Sequence, residues 1–159
     1  MLLPNLVGLL SVILLVVMMF FFVPREEVRH LLPFGLTFGF GTAIILLLLM
    51  QNIYNFWQFI QTDFLYLFNI PLLISAAWIP TVIIFAHWVK NEVSFMRLLV
   101  TISLFAGGAT LVHYFLIANQ MLVYENWSLV LTFTVSFIIH VVITGYLYMV
   151  GRITKIGLT

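Results

Sequence analysis

The sequence predicts an all-α, polytopic membrane helix bundle: five transmembrane helices plus an amphipathic interfacial helix at about residues 51–62. Three observations carry that prediction. The 159 residues are 64% hydrophobic and 7% charged, with a mean hydropathy of +1.23, whereas a soluble domain carries roughly 25% charged residues. Five apolar runs match the roughly 20 residues needed to cross about 30 Å of hydrocarbon. All six Lys and Arg residues fall, by alternation, on one side of those runs.

The spans are expected at about 2–23, 31–50, 71–89, 98–118 and 129–150, in one integral-membrane domain covering 1–159. The first run is longer than the roughly 7–15 apolar residues of a signal peptide and lacks a basic start and a small-x-small cleavage site. It reads as a retained helix. PREEVRH (24–30) separates it from span two, where Gly35, Gly39 and Ala43 recur at intervals of four. Lipid is as apolar as Leu, so helices associate through such small residues, here with Ser103 and Gly107 of span four as the expected partner. Pro71 suits the first turn of span three, and Pro80 should bend that span and free the Ala76 carbonyl. KNEVSFMR (90–97) leads to span four. NQMLVYENWS (119–128) leads to span five, where Ser128 or Asn126 can cap the helix and Glu125 meets the favourable end of its dipole.

Arg25, Arg29, Lys90, Arg97, Arg152 and Lys155 share one face. The other face has Asp63 and Glu125 and no basic residue. The positive-inside rule therefore places the N-terminus outside and the C-terminus in the cytoplasm, with the chain multi-pass in a plasma membrane.

QNIYNFWQFIQTDFLYLFN (51–69) joins spans two and three on the outer face, and seven of its nineteen residues are aromatic. Gln51, Asn55, Gln58 and Thr62 recur at steps of four, three and four, which gathers them on one side of a helix. Ile53, Phe56, Trp57 and Ile60 fall opposite. Trp and Tyr favour interfacial depths, where the ring is apolar and the N–H or O–H stays wet. The segment is either an aromatic anchor or a lid over an outer-leaflet site.

Ionisable residues near or within spans are the functional candidates. Asp63, His113 and Glu125 would be the acid–base groups of a lipid- or isoprenoid-handling enzyme, provided they face one cavity. His140, near the middle of span five, is the proton or substrate contact of a small-solute carrier, and Trp57 is a further binding candidate. The plainer readings are capping for Glu125 and neutral, interhelically bonded histidines. His113 and His140 differ in depth by roughly 9 Å at 1.5 Å per residue, too far to ligate one ion. No H-E-x-x-H is present and cysteine is absent, so no metal site is expected. No phosphate, dinucleotide or nucleophile-elbow motif occurs, so no cofactor is expected, and a net charge of +1 gives no reason to expect nucleic acid.

NFWQF, the PLLISAAWIPTVIIFAHW helix and the YENWS turn before the last span resemble small multispan proteins of spore-forming Gram-positive bacteria. That resemblance implies a bacterial plasma membrane or a membrane of the developing spore, and it supplies no functional residue. The resulting expectation is a non-enzymatic membrane protein whose partners are the lipid bilayer and another membrane protein or a second copy of itself.

Overall fold

Backbone groups placed in lipid have no outside hydrogen-bond partner, so long apolar runs fold as helices that satisfy them internally. The computed structural model describes residues 4–90 and 94–153, and five helices carry them. After a 3-10 turn at Pro4–Leu6 come α1 (Val7–Phe22), α2 (Arg25–Ile53), α3 (Leu72–Lys90), α4 (Phe95–Ala118) and α5 (Leu129–Met149). The last four are long and apolar enough to cross a membrane, whereas α1 is a shorter apolar helix of 16 residues. Residues 2 and 3 of the expected first span, 91–93 of the third connection and Lys155 of the tail lie outside the described residues.

The fold is the expected all-α helical class, with two local corrections. PREEVRH is not a loop. Pro24 has an extended backbone and α2 begins at Arg25. Glu26 and Glu27 then occupy its first turn, where carboxylates favour the helix dipole. The second correction concerns 51–62, which is not an amphipathic helix. α2 ends at Ile53, Asn55 takes a positive φ of 53°, and Trp57–Phe59 forms strand β1. Two-residue strands β2 (Tyr66–Leu67) and β3 (Ile70–Pro71) pair with each other, and β1 pairs antiparallel with β4 (Leu122–Tyr124).

The physical reason is local. Trp57 and Phe59 are buried and Gln58 is exposed, which is the period of two of a strand, and aromatic residues favour a pleated, half-buried surface. Asn is among the few residues that tolerate a left-handed backbone. The polar spacing that suggested a helix was incidental: Gln51 and Thr62 are buried, while Asn55 and Gln58 face out.

The described residues lie in two compact units, Met1–Ile84 with Leu116–Trp127, and Phe85–Phe115 with Ser128–Thr159. In the first, the small-residue stripe meets α3. A Cβ added at Gly39 would stand 2.5 Å from the Trp78 carbonyl oxygen, and one at Gly35 would stand 2.9 Å from Ile83 Cγ1. Such a stripe marks a face for close approach without naming the neighbour, and helices consecutive in sequence tend to be adjacent. Ser103 and Gly107 belong to the other unit, and a Cβ at Gly107 meets nothing within 4 Å. α2 widens to π-helical turns over Gly35–Gly41 and Leu48–Ile53, the first of these two turns after Pro33. The core at the far end of this unit joins Leu47, Trp57, Phe59, Ile70, Ile74, Leu116 and Leu122.

The second unit is built around α5. Thr132, Ser136, His140 and Thr144 recur every fourth residue and are all buried, so they share one face of the helix. His140 meets Phe85 edge-on at 4.6 Å between ring centroids and lies 5.8 Å from Phe105.

Outward faces of the helices carry large apolar residues: Phe21 is 82% exposed, Val130 74% and Met149 78%. Exposed large apolar residues on the helices are compatible with an integral membrane protein.

Candidate functional site

The segment 54–71 is fastened to the end of α2 by two carboxamides. Gln51 Nε2 donates to the Asn69 carbonyl at 2.6 Å, and Gln51 Oε1 accepts the Phe59 N–H at 3.1 Å. Asn52 Nδ2 donates to the Phe68 carbonyl at 2.8 Å. Phe68 and Asn69 present those carbonyls from a turn in which both have positive φ, 50° and 64°. For Phe this is a sparsely populated conformation, held here by the bonds its neighbours make. Below the turn, Tyr66 Oη accepts the N–H groups of Thr62 (2.9 Å) and Asp63 (3.2 Å).

The second wall comes from residues 119–127. β1 and β4 pair Trp57 with Tyr124, Gln58 with Val123 and Phe59 with Leu122. The Phe56 carbonyl extends the ladder by accepting from Glu125 N–H at 2.9 Å, and Ile60 N–H donates to the Met121 carbonyl at 2.8 Å. Between the walls stands an aromatic ladder. Tyr54 stacks on Phe56 (5.4 Å, 15°), Phe56 on Trp127 (5.0 Å, 28°), and Trp127 meets Trp57 edge-on (5.0 Å, 84°).

These parts enclose an open cleft of about 550 Å³, within the roughly 300–1,000 Å³ of small-ligand sites. Six carboxamides line it: Gln51, Asn52, Asn55, Gln58, Asn69 and Asn126. Tyr54 and Trp57 add aromatic surface, and Glu125 is the one charged residue of the lining. Of the sequence candidates, Trp57 and Glu125 therefore reach the cleft. Trp57 is 3% exposed and serves mainly as its floor.

Asp63 does not line the cleft. It is 2% exposed, and its Oδ2 accepts the N–H groups of Leu73 at 2.8 Å and Ile74 at 3.1 Å. These are first-turn donors of α3 with no intrahelical partner, so Asp63 caps that helix from ten residues upstream. Oδ1 has no hydrogen-bond partner among the described residues and lies against Gly8, where an added Cβ would overlap it. Burial raises the Asp63 carboxyl above its ordinary 3.8, with the Ile74 and Leu73 N–H groups opposing the shift.

His113 lies in α4 within the second unit, and Asp63 and Glu125 belong to the first. His140 is 1% exposed and its Nδ1 lies 2.7 Å from the Ser136 carbonyl. A carbonyl can only accept, so the proton sits on Nδ1, and Nε2 is an acceptor without a partner among the described residues. Ser128 Oγ caps α5 by accepting the Leu131 N–H at 3.2 Å. Among the described residues no three His, Asp or Glu gather as a metal site.

The cleft itself escaped sequence reasoning, because its two walls are some sixty residues apart in the chain. The stripe of Thr132, Ser136 and Thr144 around His140 was also missed, although its four-residue spacing in the sequence is a signal that could have found it. The chain matches no known protein-family profile, and neither curated proteins nor solved structures yield a similar chain.

Proposed function

We propose that the chain is a non-enzymatic, multi-pass protein of a bacterial plasma membrane that binds a partner molecule through the cap built from residues 51–71 and 119–127. The observation that carries this reading is the use of Asp63. An enzyme drawing on Asp63, His113 and Glu125 needs them around one cavity, whereas Asp63 holds the first turn of α3 and is absent from the cleft. What remains in the cleft is a set of carboxamides, aromatic rings and one carboxylate, groups that recognise and hold rather than attack. The distribution of the six basic residues supports an N-outside, C-inside orientation with the cap outside. Four helices apolar enough to span support the membrane setting.

A carrier subunit is the second reading, favoured by the buried His140 with its open Nε2 on a polar stripe of α5. Single-cysteine labelling of this cysteine-free chain tests the first. Lys155→Cys should react with an impermeant maleimide only after permeabilisation, and reaction in intact cells would overturn the orientation.

A further inference from the structure

We infer that the carboxamide cleft between residues 51–69 and 125–126 is a binding site for a neutral, polyhydroxylated ligand, the sugar portion of a glycan. This deepens the partner-binding reading above and rests on it.

Charge excludes one large class of ligand. The lining contains Glu125 and no Lys, Arg or His, and no basic residue occurs anywhere in 51–69 or 119–128. A phosphate or carboxylate would be held without a counter-charge, which is costly in a partly desolvated site. The remaining lining suits hydroxyl groups. A carboxamide offers an acceptor and two donors side by side, and vicinal sugar hydroxyls offer the complementary pair. Gln51 is committed at both ends and Asn52 at its donor. The side chains of Asn55, Gln58, Asn69 and Asn126 make no hydrogen bond to the described chain, so their groups are available to a ligand. Glu125 adds a charge-assisted acceptor for a hydroxyl pair. Tyr54, 56% exposed and stacked flat on Phe56, presents a ring against which the C–H face of a pyranose can pack.

An extended peptide fits less well. A peptide adding to β1 needs the edge that faces away from β4, and on that edge the Phe59 N–H is already taken by Gln51 Oε1. The polar side chains, not the main chain, are what the cleft leaves open.

The test uses the full chain in lipid nanodiscs and tryptophan fluorescence, since Trp57 and Trp127 flank the site. Maltotriose and tri-N-acetylchitotriose are titrated free, and a diglucosyl lipid is titrated within the disc. Saturable binding of a free glycan, or of the lipid-linked sugar alone, supports the site and tells its source. Asn126→Leu and Tyr54→Ala, both at exposed positions, should each weaken binding by about tenfold, the loss of one well-made contact, with the melting temperature of Asn126→Leu unchanged. Affinity should be insensitive to salt. Absence of saturable binding to any of the three, equal binding to inorganic phosphate, or undiminished binding in both variants would overturn the proposal. Reagent access to Gln58→Cys in intact cells is read in parallel. If that position is labelled and no glycan binds, the ligand assignment fails while the outer cap stands.

Discussion

Asp63 Oδ2 accepts the backbone N–H of Leu73 at 2.8 Å, so a residue of the connection between α2 and α3 closes the first turn of α3. Removing the acceptor leaves that turn's donors buried without a partner. Asp63→Ala should therefore lower stability by about 0.5–2 kcal/mol, the usual worth of a helix cap, measured by thermal melting in detergent. Asp63→Asn keeps an acceptor oxygen without the buried charge and should not lower stability.

The same carboxyl makes a pH prediction. Its folded pKa is raised by burial, so its protonated form is favoured in the folded state. The contribution to stability is then fully present below the ordinary carboxylate range near pH ~4 and is lost as pH rises through the raised folded value. Melting temperatures of the wild type and Asp63→Asn, compared across that window, should converge at low pH and separate above it, with the wild type the lower. A wild type that gains on Asp63→Asn as pH rises would contradict the sign.

Close approach of α2 to α3 predicts contrasting glycine substitutions. Gly39→Ala places a methyl 2.5 Å from the Trp78 carbonyl oxygen, a backbone atom that cannot swing away. It should cost about 1–3 kcal/mol, as overpacking does. Gly107→Ala meets open space and should melt at or above the wild-type temperature. Equal behaviour of the two variants would mean that the stripe does not face α3.

Trp57 and Gln51 hold the cap together by different means. Trp57→Ala removes a buried indole and should cost about 3–5 kcal/mol. Gln51→Met keeps the volume but strands the Asn69 carbonyl and the Phe59 N–H, at about 1–3 kcal/mol for each buried group left unsatisfied. Hydrogen exchange should show the loss of protection concentrated at Phe59 and its neighbours in Gln51→Met.

All five helices were legible as apolar runs, because hydropathy and length alone decide them. The start of α2 was not: a charged run reads as a connection, yet Arg and Glu are good helix formers and the two carboxylates sit at the favourable end. Residues 51–62 misled because a three-four polar spacing is only permissive. The deciding facts were the left-handed Asn55, the in–out–in burial of Trp57, Gln58 and Phe59, and the partner strand LVY at 122–124. That pairing spans more than sixty residues, and no local pattern announces it. Trp57 and Glu125 were picked out singly, whereas the carboxamides that accompany them in the cleft acquire meaning only once the two segments meet. Asp63 stood out in the sequence only as an acid–base candidate, and its capping of α3 follows from the approach of residue 63 to residues 73 and 74 in the fold.

The pairing of β1 with β4, and the proposed outward placement of the cap, are tested most directly by the double variant Gln58→Cys/Val123→Cys. These residues are opposite each other in the ladder and both exposed, and the chain has no other cysteine. A short, membrane-impermeant thiol cross-linker added to intact cells should join them efficiently, while the control pair Gln58→Cys/Lys155→Cys should not be joined. Cross-linking of 58 to 123 only after permeabilisation would place the cap in the cytoplasm, and failure under both conditions would contradict the cap itself.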